Sequence, residues 1–93
     1  MRKIERTSKF KKDYKRECKG QHRLTVESDL ITVLKQLMAD KPLAAKYRDH
    51  PLSNNWSDHR DCHIKPDLVL IYRLPDDDTL QLVRLGSHSE LGI

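Results

Sequence analysis

The stretch "HRDCHIKPDLVLIYRLPDDDTLQLVRL", residues 59 to 85, constrains the fold more than any other. It reads as three β-segments separated by two turn signals: about His59 to Lys65, about Leu68 to Leu74, and about Thr79 to Leu85. "KPD" supplies the first turn and "PDDD" the second, because Pro presets φ and Asp side chains satisfy backbone amides locally. Connections this short join only antiparallel neighbours, so the C-terminal third is expected to be a meander.

A sheet with one apolar face needs a cover, and the first half of the chain supplies it. "RKIERT" reads as a brief strand around Ile4, followed by Thr7 or Ser8 as a helix cap. From Lys9 to Lys19, Phe10, Tyr14 and Cys18 recur at four-residue spacing, and Gly20 ends that helix. A second helix from about Leu24 to Ala39 carries Val26, Leu30, Val33, Leu34, Leu37 and Met38 as one apolar stripe, and Pro42 forbids its continuation. Residues 40 to 57 are loop chemistry anchored by Leu43, Tyr47, Leu52 and Trp56. The expected fold is therefore α+β. A short N-terminal strand and a helical hairpin precede the three-strand antiparallel meander, with both helices on one face of a four-stranded sheet and residues 1–93 forming a single domain.

Composition narrows the class. Apolar residues make up 37% of the chain and charged residues 34%, and no apolar run approaches the roughly 20 residues of a membrane span. Nor does the N-terminus resemble a secretory signal, so a cytoplasmic protein without a membrane role is expected. The two cysteines, Cys18 and Cys62, lack metal or redox spacing and are expected as small buried residues. The net charge of +4 hides an asymmetry, because Met1 to Arg23 holds ten Lys or Arg against three acids. Such a cluster is the footprint of a polyanion or acidic partner, or simply a solvated helix face.

The chemistry-bearing residues crowd into "YRDHPLSNNWSDHRDCHIKPD", residues 47 to 67, with three of the five histidines. Strand alternation sends Cys62 and Ile64 towards the helices, and Asp61, His63 and Lys65 to the opposite, open face. His88, just beyond the last strand, can fold back to that face. Zinc is one reading of such a set, but the spacing matches no metal motif, so neither metal nor cofactor is expected. Acid–base work fits better, since imidazoles titrate near neutrality and RNA cleavage by its own 2'-hydroxyl needs one proton acceptor and one donor. Each histidine taken singly can also be a surface or capping residue.

"YRDHPL", Trp56, "RDCHIKPDLVLIY" and "LVRLGSHSELG" together resemble the YafQ branch of the RelE-like toxins of bacterial toxin–antitoxin systems. The resemblance implies a RelE-like microbial ribonuclease fold and a ribosome-dependent, metal-independent endoribonuclease. Its substrate would be mRNA lying in the decoding site of the 70S ribosome. A cognate antitoxin would hold it inactive, with operator DNA met only through that complex. By the same resemblance, His50 and His88 are candidates for base and acid in either order, and His63 is a further active-site histidine. Asp61 and Asp67 would orient or tune the imidazoles. Arg84, Lys65 and Arg60 are candidate phosphate contacts near the cleft, and Lys9, Lys11, Lys12, Lys15, Arg16 and Lys19 would face ribosomal RNA. Gly92 stands where relatives carry an aromatic ring, His59 is expected to be structural, and Trp56 is expected to anchor its loop. Two competing readings are a non-catalytic nucleic-acid or ribosome-binding module on the basic helix, and a metal-dependent hydrolase built on His50, Asp61 and His63.

Overall fold

A computed structural model describes all residues, 1–93. The chain runs β1 (Lys3–Arg6), α1 (Ser8–Glu17), α2 (Val26–Met38), β2 (His50–Pro51), β3 (Arg60–Lys65), β4 (Leu68–Arg73), β5 (Thr79–Gly86) and α3 (His88–Leu91), with 3₁₀ turns at Ala45–Tyr47 and Asn54–Trp56. Thr7 caps α1 by accepting from the Phe10 N–H at 3.0 Å, and its hydroxyl donates to the Val83 carbonyl. Glu27 and Asp29 in the first turn of α2 complement that helix's dipole. Asp40, at φ 55°, closes the helix before Pro42, and Arg2 Nε is 2.6 Å from its carboxylate.

The sheet has five strands in the order β1-β5-β4-β3-β2, one more than expected from the sequence. The fifth is β2, where His50 pairs with Asp61 and Pro51 with Arg60. Two residues, one of them Pro, carry no strand signal of their own; Pro is tolerated there because β2 is an edge. The meander pairs as expected, and β1 lies parallel to β5 with Ile4 opposite Leu80. Bulges interrupt β3 between His63 and Lys65, and β5 between Leu82 and Arg84. The second lets Leu80, Leu82 and Leu85 all bury despite the odd spacing.

The main core lies under the helices and joins Phe10, Val26, Leu30, Val33, Leu34 and Leu37 to Cys62, Ile64, Leu68, Leu70, Tyr72, Leu80, Leu82 and Leu85. The opposite face is not bare. Val69, Ile71 and Leu91 form a small core there, covered by Leu52, Trp56 and Val83. Trp56 is thus an anchor, and it meets His59 edge-on at 5.4 Å. Helix α1 departs from its apparent stripe, since Cys18 is exposed while Asp13 and Glu17 are buried beside Phe10. Fixed partners on β5 and within the helix make those carboxylates tolerable inside.

Candidate active site

The register of the outer face assembles the site. His50 on β2 stands opposite Asp61 on β3, and His63 lies two residues further along the same face. His63 pairs with Val69, which pairs with Gly86 at the end of β5, and there the chain turns into α3. Ser87 starts this helix with a capping box, its side chain accepting from Glu90 N while Glu90 accepts from Ser87 N. His88 is therefore folded back over the sheet. Its ring meets His63 at 4.9 Å, and His50 meets His63 from the other side at 6.5 Å.

Each flanking imidazole is fixed through Nδ1. That of His50 is 2.6 Å from the Arg48 carbonyl, which can only accept, so Nδ1 carries hydrogen and Nε2 is left to the solvent side. Asp67 in the β3–β4 turn takes both the His88 backbone N–H, at 3.1 Å, and Nδ1, at 2.7 Å, on one carboxylate oxygen. Those bonds hold the Asp67 carboxyl below its usual range. Asp61 behaves in the opposite way. Burial raises its pKa against the pull of His50, His63 and His88, and its Oδ1, 3.2 Å from His50 Nδ1, has no hydrogen-bond partner. Burial likewise lowers His63, aided by His88, Arg48 and His50 and opposed by Asp61, which favours the neutral ring.

His63 and His88 open onto a cleft of about 930 Å³ with Lys46, Tyr47, Arg48 and Lys65. Lys46 and Arg48 were not singled out from the sequence, and Tyr47 only as a loop anchor, although "KYR" directly before Asp49 and His50 puts two cations beside the key histidine. Asp49 was missed as well. It accepts from Tyr72 Oη at 2.5 Å and Arg60 Nε at 3.3 Å, tying the His50 loop to the sheet.

Several expected phosphate contacts have other partners. Arg84 is turned onto Asp13, with Nε 2.7 Å from Oδ2, and does not line the cleft. The β5 bulge is the physical reason, because it delivers Arg84 to the buried carboxylate of α1. Arg16 is bound to Asp13, Glu17 and Glu90. Arg60 pairs with Asp49, and Lys65 is 2.6 Å from Asp29 of α2 while still lining the cleft. Lys9, Lys11, Lys12, Lys15 and Lys19 are exposed on α1 and the turn after it, away from the cleft. His59 bonds only locally, at 3.0 Å from the Ser57 carbonyl.

A small α+β protein with three imidazoles, two carboxylates and a cation-lined cleft carries groups that can attract an anion and exchange protons near neutrality. The particular family follows from comparison: residues 2–92 match the model for the bacterial toxin of type II toxin–antitoxin system, YafQ, and the chain belongs to that family. It is 39% identical over 90 residues to the mRNA interferase toxin YafQ of Escherichia coli strain B / BL21-DE3, covering 97% of this chain and 95% of that protein. The E. coli DinJ–YafQ complex contains a chain of the same fold, at 38% identity and a TM-score of 0.82, with 98% of both chains covered. A metal-bound toxin from Helicobacter pylori is 46% identical with a TM-score of 0.83, covering 98% of this chain and 99% of that one.

Proposed function

We propose that this chain is the toxin of a type II pair and cleaves mRNA on the ribosome by histidine acid–base catalysis. The observation that carries the reading is the run of His50, His63 and His88 beside a buried Asp61, with His63 and His88 lining a cleft edged by Lys46, Arg48 and Lys65. His50 Nε2 takes the proton of a ribose 2'-hydroxyl, whose oxygen attacks the adjacent phosphorus in line. The bond from phosphorus to the 5'-oxygen breaks, and a protonated His88 gives its proton to that leaving oxygen. A 2',3'-cyclic phosphate and a 5'-hydroxyl result. His63, favoured neutral, lies between the two, and the cleft cations stabilise the crowded phosphorane.

The ribosome would supply an ordered substrate, with the exposed lysines of α1 meeting rRNA phosphates without reading sequence. A cognate antitoxin, as DinJ is found with YafQ in E. coli, would hold the toxin inactive in the cytoplasm. Acid–base transfer between these imidazoles and the RNA requires no metal ion. The test is cleavage of mRNA on programmed ribosomes by toxin stripped with EDTA and desalted, beside untreated toxin. His50→Ala and His88→Ala should each lower the rate by about 10²-fold or more while the protein stays folded, and stripping the toxin should have no effect. Undiminished cleavage by either variant would falsify the assignment. The exposed lysines favour a second reading, a non-catalytic binding module, which predicts translation arrest without any new RNA ends.

A further inference from the structure

Arg16 sits among the lysines of the basic helix, yet its guanidinium is occupied by protein. Nη1 donates to Asp13 Oδ1 at 3.0 Å, Nη2 donates to the Leu85 carbonyl at 2.8 Å, and Nε lies 3.1 Å from Glu17 and 3.2 Å from Glu90 Oε2. Asp13 Oδ2 meanwhile accepts the Leu85 N–H at 3.0 Å. Strand β1 pairs with β5 only as far as Leu82. Beyond that point, side chains of α1 take the place of a neighbouring strand, Asp13 accepting from Leu85 and Arg16 donating to it.

The next residues carry the candidate acid. Gly86 leaves room for the clamp, since a Cβ there would lie 2.8 Å from Arg16 Nη2 and 3.2 Å from Glu90 Oε1. Glu90 then works with both oxygens, Oε1 accepting from Ser87 N at 2.9 Å and Oε2 facing Arg16. So Arg16 touches the strand before the turn and the helix after it. His88 is the first residue of that helix, and its other side is held by Asp67.

We propose that Arg16, bridging the Leu85 carbonyl and the Glu90 carboxylate, is a positioning residue that fixes the β5–α3 turn and with it His88, and is not an RNA contact. The inference rests on the reading of His88 given above. A phosphate approaching this guanidinium would meet Asp13, Glu17 and Glu90 around it, which disfavours a second anion. The arrangement also demands a fork: one planar group spans four acceptors, whereas a lysine ammonium is a single point of charge.

The test compares Arg16→Gln, Arg16→Lys, Glu90→Gln and Lys15→Gln in the full chain freed of any antitoxin. The NMR titration of the His88 imidazole is read alongside single-turnover mRNA cleavage on programmed ribosomes. Arg16→Gln and Glu90→Gln should both displace the His88 resonances and lower the rate at saturation about tenfold, with half-saturation changed by less than about twofold. Arg16→Lys should not restore either readout. Lys15→Gln should raise the half-saturating concentration and reduce the salt slope by about one, leaving His88 in place. If Arg16→Gln instead behaves like Lys15→Gln, or if Glu90→Gln leaves the His88 titration unmoved, the positioning role is overturned. Glu90 is an exposed acid, so its variant stays informative even where Arg16→Gln does not fold. Intact cleavage by His88→Ala would sink the catalytic reading alone, because the imidazole titration still reports whether Arg16 sets that ring.

Discussion

Asp13 and Asp61 are both aspartates hidden from solvent, 4% and 3% exposed, and the fold treats them in opposite ways. Burial alone would raise Asp13, but hydrogen bonds from Arg84, the Leu85 N–H and Arg16 outweigh it and hold the carboxyl below its usual range. For Asp61 burial prevails, and Oδ1 makes no hydrogen bond although His50 Nδ1 lies 3.2 Å away. A carboxylate with a full set of fixed donors is a rivet, committed to one charge state and one geometry. A carboxylate left short of donors beside three imidazoles has its charge state set by those neighbours, at a cost in stability that fixed donors would offset.

The sharpest way to break this contrast is Asp13→Asn, which leaves Arg16 and Arg84 without their shared charge. It should cost about 3 kcal/mol, or roughly 15 °C in Tm, by thermal or denaturant unfolding. Asp61→Asn should move in the other direction, gaining about 1 kcal/mol at pH 7 while cleavage falls about tenfold. A destabilised Asp61→Asn protein would show that its carboxylate is also a rivet. The two residues should separate again in acid. Because Asp13 titrates lower in the fold than in the unfolded chain, its contribution is complete above the ordinary value of 3.8 and is lost as pH falls through the folded value. Asp61 titrates higher in the fold, so its penalty, present at neutral pH, is relieved on acidification through the folded value. Asp13→Asn should therefore flatten the acid loss of stability and Asp61→Asn steepen it, measured as ΔG against pH. The smallest effect belongs to Lys12→Gln, an exposed position with neither role, which should change stability by less than about 0.5 kcal/mol.

Where periodicity was long, the sequence announced the structure. Six apolar positions define α2, and alternation around Cys62 and Ile64 puts Asp61 and His63 on the face away from the helices. Elements too short for a period stayed hidden: β2 is two residues, and α3 is four. Even so, "SHSE" holds the capping-box signature that would have announced α3 and the turning back of His88. Polar burial was harder to see. On α1 the four-residue spacing of Phe10, Tyr14 and Cys18 suggested an apolar stripe, yet the inward positions include Asp13 and Glu17, because their arginine partners lie partly on a distant strand. The carboxylate partners of Arg16, expected at RNA from the basic run, and of Arg84, expected there from its place before His88, stayed hidden too: a side chain's partner depends on tertiary register, which local patterns do not encode.

The parallel pairing of β1 with β5 joins segments far apart along the chain. Glu5 and Gln81 touch across 76 positions, so β1 has no neighbouring strand until the residues from Thr79 onward have been made. Closing so long a loop carries an entropic cost that only the finished sheet offsets. Assembly of the sheet thereby waits on β5, and a chain terminated before it lacks both the partner of β1 and the segment that bears His88.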